Sequence, residues 1–179
     1  FEATFDILGD QESRRKYVEL LLYRMLGFTK VKLSLNTEEF RAARDRTDAY
    51  VRPERIPVSF RKGYLELYDL SAAGYDIKLY FVRNGVYVDF ILQQYNYQDL
   101  VCVNHGDIVI DAGGCWGDTA LYFSARGADK VFVYEFIPSN LVILEKNVAL
   151  NPRYDERIFR VNKAVLESSR VYLSFEVMG

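Results

Sequence analysis

The stretch Val109–Phe123, VIDAGGCWGDTALYF, constrains the fold of this chain more than any other. An apolar strand ends in Asp111, the chain breaks into Gly113, Gly114 and Gly117, and an apolar helical pattern follows. Glycines let the backbone turn sharply and let a ligand come close, and the helix that follows offers N–H groups and a positive dipole end. Asp118 and Thr119 supply polar side chains where that helix begins. The continuation, VFVYEFIPSN, reads as a second buried strand whose Glu135 lies 24 positions after Asp111. An acid about 20 residues beyond a glycine loop is the spacing of a βαβ unit that grips a ribose. In such a unit the second strand runs parallel to the first, so Glu135 returns to the rim that holds the loop. A carboxylate there can accept from both hydroxyls of a vicinal diol.

The loop also bears on which ligand is held. A dinucleotide fingerprint reads G-x-G-x-x-G, whereas here the glycines fall as G-G-x-x-G after an aspartate. An acid at the strand tip repels pyrophosphate but attracts the ammonium group of a methionine moiety. S-adenosylmethionine has both that ammonium and a ribose diol, and it is the cofactor these residues favour. A NAD-binding Rossmann-like oxidoreductase is the alternative. A noncatalytic module retaining the fold is a third reading, and the presence of two acids, Asp111 and Glu135, counts against it.

Asp111, Gly113, Gly114, Gly117, Asp118 and Thr119, followed by Glu135, Pro138, Asn140, Leu144, Asn147, Leu150 and Asn151, resemble the FkbM family of class I methyltransferases. Upstream, LGDQESRRKYVELLLYRMLG resembles the Asp-x-x-Ser-Arg helix that precedes the catalytic domain in some members. The resemblance implies an α/β chain: a Rossmann-like class I methyltransferase fold, truncated, with a parallel sheet core, preceded by a helical segment and a small antiparallel β-sheet. It implies O-methylation of a small-molecule hydroxyl of sugar or polyketide type. Cys115 stands where the family commonly has Asn, and its backbone can still line the loop. Phe136 stands where the family often has Pro, and offers an aromatic face to adenine. Asn162 and Ala164 fall where such folds place a residue beside the adenine edge, although VNKAV also reads simply as a strand end. Only the early strands of that sheet fit before Gly179, the last being IFRVNKAV, with RVYLSFEV as a candidate hairpin partner. Both ends of the chain read as cuts from something longer.

Three blocks follow along the chain: a helical extension over 1–63, an antiparallel β-hairpin subdomain over 64–100, and the cofactor half of a methyltransferase domain over 101–179. Tyr17, Leu20, Leu21, Arg24 and Met25 recur at helical spacing over 11–27, with Asp10 as N-cap and Gly27 as stop. A shorter charged helix is expected over 37–46. VRPERIPVSFRKG, with two prolines among charges, reads as linker or surface chain. YLELYDL, DIKLYFV and VYVDFILQQ alternate, and Asn84-Gly85 signals a two-residue hairpin between the latter two. That sheet covers the cofactor, shapes the substrate entrance, or serves edge packing and dimer contact. Tyr95 is either an amphipathic residue at a sheet rim or a lid over the methionine end. In SNLVILEKNVALN, Leu141, Leu144 and Val148 face the sheet, Asn151-Pro152 ends the helix, and Asn140 and Asn147 are structural.

Half the residues are hydrophobic and the formal net charge is −2. Basic residues are interspersed with acids, as on solvated helix faces, so no nucleic-acid partner is expected. Neither an apolar run long enough to span a bilayer nor a signal-peptide pattern is present, which gives a cytoplasmic expectation and no membrane partner. Cys102 and Cys115 suggest reduced thiols and no metal site. The lone His105 reads as a turn residue. The expected partner is a small-molecule substrate. No residue stands out as catalytic base, and the oligomeric state is open.

Overall fold

The computed structural model describes residues 1–34, 36–58, 63–97 and 100–165. It is an α/β protein that divides into two compact units, Phe1–Asp45 and Arg46–Gly179. The first unit is helical: α1 (Glu2–Ile7), α2 (Gln11–Leu26) and α3 (Glu38–Asp45). Asp10 starts α2 as its residue type predicts, its Oδ1 accepting from the Ser13 N–H at 2.8 Å. Gly27 stops it at φ 82°, donating its own N–H to the Tyr23 carbonyl.

The second unit opens with a turn of 3-10 helix and an antiparallel sheet of order β1-β2-β3: β1 (Val51–Val58), β2 (Gly63–Asp69) and β3 (Lys78–Phe81). Residues 51–58 therefore form a strand where the prolines suggested a linker; 59–62 lie outside the described residues. The physical reason is position. β1 is an edge strand, where a missing N–H is tolerated, and the register shifts between Arg52 and Arg55, so Pro53 sits in the irregularity. Glu54, also in that irregularity, accepts a hydrogen bond from the Tyr80 hydroxyl.

The hairpin expected at Asn84-Gly85 is absent. Arg83–Gly85 form a single helical turn (α4) that runs into a π-helix, Val86–Ile91. Val86, Tyr87, Asp89 and Phe90 are buried, a helical spacing that the β-branched and aromatic composition concealed. Gly85 serves close approach rather than a left-handed turn: a Cβ there would meet Phe81 Cε1 at 2.1 Å.

The parallel sheet has the order β4-β5-β6: β4 (Ile108–Ala112), β5 (Lys130–Tyr134) and β6 (Ile158–Val161). Between these strands come α5 (Asp118–Ala125), α6 (Pro138–Ala149) and the short α7 (Pro152–Asp155). Val131, Val133 and Ile158 on one face join Leu121, Leu144 and Val148 of the helices in the core. Alternate residues point the other way, so Ile108 is 65% and Ile110 69% exposed, and Phe132 stacks on Phe159 at 5.1 Å. Among the described residues this face has no helix over it, and β4 pairs only with β5. The candidate hairpin partner RVYLSFEV lies outside the described residues. No described helix is long and apolar enough to cross a membrane.

Two asparagines of the α6 region join the layers. Asn147 accepts from the Tyr80 N–H at 2.7 Å and donates to the Tyr80 carbonyl at 3.1 Å and the Trp116 carbonyl at 2.9 Å. Asn151 accepts from the Lys78 N–H at 2.9 Å and donates to the Lys78 and Asn147 carbonyls at 2.6 Å. Four residues of helix rise about 6 Å, and two residues of strand about 6.6 Å. Two amides four apart, Asn147 on α6 and Asn151 just past its end, thus match successive outward-facing positions of β3 and take the place of a partner strand.

Replacing Asn147 with Ala leaves three backbone groups, two of them buried, without this partner. The expected loss is about 2–4 kcal/mol in denaturant unfolding; an unchanged midpoint and slope would show that the amide ties nothing.

Candidate functional site

The glycine loop leaves β4 and enters α5. Gly113 and Gly117 adopt φ values of 95° and 81°, and the N–H groups of Gly113 and Gly114 both donate to the Tyr134 carbonyl, at 2.9 and 3.1 Å. The loop is thereby fastened to the end of β5. Gly114 is required by packing, since a Cβ would lie 2.1 Å from Val133 Cγ1. Cys115 carries a side chain at φ 45°, a left-handed conformation that Asn adopts more readily than Cys. Burial, with the Asp118 and Glu135 carboxylates next in effect, pushes its thiol up to about 12. It is therefore a protonated thiol at neutral pH, not a nucleophile.

Asp111 ends β4 one residue before the strand's last. Its Oδ2 accepts from the Thr119 hydroxyl at 2.5 Å, which places the first turn of α5 against the acid. Burial raises the Asp111 pKa, and the Thr119 hydrogen bond opposes that rise while the charges of Asp89 and Glu135 add to it. Glu135 follows β5 and is 4% exposed. Its Oε1 accepts from the N–H groups of Phe136 and Ile137, at 2.8 and 2.7 Å, and its Oε2 from Asn140 Nδ2 at 3.3 Å. The carboxylate is held by the chain leading into α6, and Oε2 keeps one acceptor position.

Other expected positions are distributed around this rim. Phe136 is half-buried beside Glu135. Val161, the last residue of β6, accepts from the Glu135 N–H at 3.2 Å, which brings the exposed Asn162 and half-buried Ala164 to the same end of the sheet. Tyr95 lays its ring edgewise on Phe123, 5.2 Å between centroids, and is tilted against Tyr122 at 6.2 Å. Burial raises its pKa, and the acids Asp89, Asp118 and Asp111 add to the rise.

Sequence reasoning missed Asp89. This buried acid of the π-helix meets Asp118 at the start of α5 and accepts a hydrogen bond from Gln94 Nε2. Its signal was a lone acid inside the apolar run VYVDFI. Burial raises the pKa of both carboxyls, and the Asp89 charge and hydrogen bond raise Asp118 further, so the pair holds a proton more tightly than two free carboxyls would. Trp116 was also missed: its Nε1 donates to Asn140 Oδ1 at 3.1 Å, linking the loop to the residue that holds Glu135. The site thus gathers Asp89, Asp111, Asp118 and Glu135, carboxyl groups for which no Lys or Arg partner is found among the described residues. Such a field attracts a cation and opposes a phosphate. No metal-holding group of His, Cys, Asp and Glu occurs among the described residues.

The raised pKa of Asp118 sets a pH dependence. The folded state keeps a proton that the unfolded chain releases in the ordinary carboxylate range, so stability falls as pH rises from that range through the raised value. Asp118→Asn keeps a donor toward Asp89 with no proton to lose. It should be more stable than the wild type near neutrality, by on the order of 1 kcal/mol, with the gain shrinking in acid. Thermal unfolding across pH checks this, and a variant less stable at neutral pH would remove the assignment of the proton.

No family model matches the chain, and no curated protein matches it. Two crystal structures from Pyrococcus horikoshii share part of its arrangement. "Putative transferase PH0793" has 17% identity and a TM-score of 0.42, over 56% of this chain and 36% of that one. TYW2 in complex with MeSAdo has 14% identity and a TM-score of 0.38, over 75% of this chain and 51% of that one. The chain spans between about a third and a half of the length of these two structures.

Proposed function

We propose that this chain is the cofactor-binding part of an S-adenosylmethionine-dependent methyltransferase of FkbM type. One observation carries the reading: Asp111 and Glu135 stand at the carboxyl ends of neighbouring parallel strands, around a glycine loop fastened between them. In open α/β sheets, ligands bind outside the carboxyl ends of the strands.

The residues fit the cofactor by charge and by acceptor geometry. Asp111 Oδ1 accepts no hydrogen bond from the described residues and carries the charge that suits an ammonium group. The free acceptor position on Glu135 Oε2 suits one ribose hydroxyl, not both, because Oε1 is taken by backbone. Phe136 offers its ring to adenine, with Asn162 and Ala164 beside it and Tyr95 toward the methionine end. A dinucleotide fits poorly, since the Gly113 and Gly114 N–H groups face the Tyr134 carbonyl instead of a phosphate.

When bound, S-adenosylmethionine supplies a methyl group made electrophilic by its sulfonium. The chain's own residues hold and orient it, which is most of what such a transfer asks of a protein. Cys115, whose thiol is pushed up to about 12, stays protonated and is not a base in this reading. The acceptor in this proposal is a small-molecule hydroxyl, of sugar or polyketide type, in the cytoplasm. The net charge of −2 and its mixed distribution support a small molecule over nucleic acid.

Isothermal titration with S-adenosylhomocysteine and with NAD tests the reading: the first should bind and the second should not. Glu135→Ala should weaken S-adenosylhomocysteine by about 1.5–3 kcal/mol, the scale of a charge-assisted hydrogen bond. Glu135→Gln, which can keep the Oε1 cap on α6, separates lost contact from lost structure. Binding of NAD alone would overturn the cofactor, and unchanged affinity in both variants would overturn the ribose contact.

A further inference from the structure

Behind the glycine loop, on the side to which Trp116 turns, lies a second cavity of about 470 Å³. Its volume is within the usual range for small-molecule sites, about 300–1,000 Å³. Ile56 and Val58 of β1 form one wall, Trp116 and Ile143 pack at its base, and the outer face of α6 forms the other wall. Val142, on that face, is 58% exposed although apolar. No acidic residue lines the cavity among the described residues, and its one charged lining residue, Lys146, forms no ion pair there. Neighbouring Glu145 faces elsewhere and pairs with Arg160 at 3.4 Å.

An apolar hollow with one unneutralised ammonium at its edge has a complementary ligand. We propose that this cavity binds an amphipathic carboxylate, its apolar body against Trp116, Ile143, Ile56 and Val58 and its single negative charge against Lys146. One lysine matches one charge, and the Ser139 hydroxyl on the same lining can donate to the second carboxylate oxygen. The occupant touches the indole whose Nε1 holds Asn140, and Asn140 in turn holds Glu135. Occupancy of the cavity and of the sheet rim are thereby linked, and the linkage is reciprocal. Only this linkage rests on the proposed function; binding of the carboxylate does not.

Trp116 is the only tryptophan in the chain, so its emission reports on the cavity without a label. Decanoate, titrated below its micellar concentration into the full chain without nucleoside, should change that emission saturably. Decanol should bind about two- to fivefold more weakly, as should decanoate to Lys146→Ala, the scale of one exposed ion pair. Val142→Asp, which puts a like charge on the lining, should abolish the response while circular dichroism stays that of the wild type. No saturable change in the wild type, or equal affinity for decanoate and decanol, would overturn the site. So would undiminished binding by Lys146→Ala. S-adenosylhomocysteine binding without a decanoate response leaves the proposed function and removes this inference, and the converse result does the reverse.

Discussion

A free strand edge is the constraint around which the second unit is built. Among the described residues β3 pairs with β2 alone, and its outward N–H and C=O groups are buried at Tyr80 and partly so at Lys78. Unpaired backbone in such a place costs more than almost any single contact returns. Asn147 and Asn151 settle it by presenting side-chain amides with the same donor and acceptor order as a peptide. The arrangement fixes α6 against the antiparallel sheet. Because Asn147 also donates to the Trp116 carbonyl, it fixes the glycine loop as well.

The loop inherits its rigidity from that frame and from the Tyr134 carbonyl, and it holds acids close together in a poorly solvated place. Desolvation is the leading cause of the raised pKa at Asp89, Asp111 and Asp118 alike. Sharing a proton between Asp89 and Asp118 removes one charge from the group, which makes the rest tolerable. What remains is a negative rim with few free amides, a chemical preference for cations that follows from burial and not from any single residue.

Much of this was legible in the residues. The β4-α5-β5-α6-β6 order, the N-cap at Asp10 and the positions of Asp111 and Glu135 all followed from period, spacing and cap chemistry, which are local properties. The failures share a cause. Prolines in β1 and glycine in α4 were read by their intrinsic preferences, whereas edge position and contact with Phe81 decided their conformations. The pairing of Asp89 with Asp118 and the chain of contacts from Trp116 to Glu135 join segments distant in sequence, and no pattern within one segment announces them. The double hold of backbone on Glu135 Oε1 was equally invisible, because an acid before a helix looks the same whether it caps that helix or waits for a sugar.

The Thr119 hydroxyl bears on how firmly the acid is placed. Among the described residues β4 pairs with β5 alone, so the ladder holds Asp111 along one flank. Its position is fixed as much by the Thr119 hydroxyl as by that ladder. Precision at the acid thus comes from a side chain in the next helix, a contact that the sheet itself does not supply.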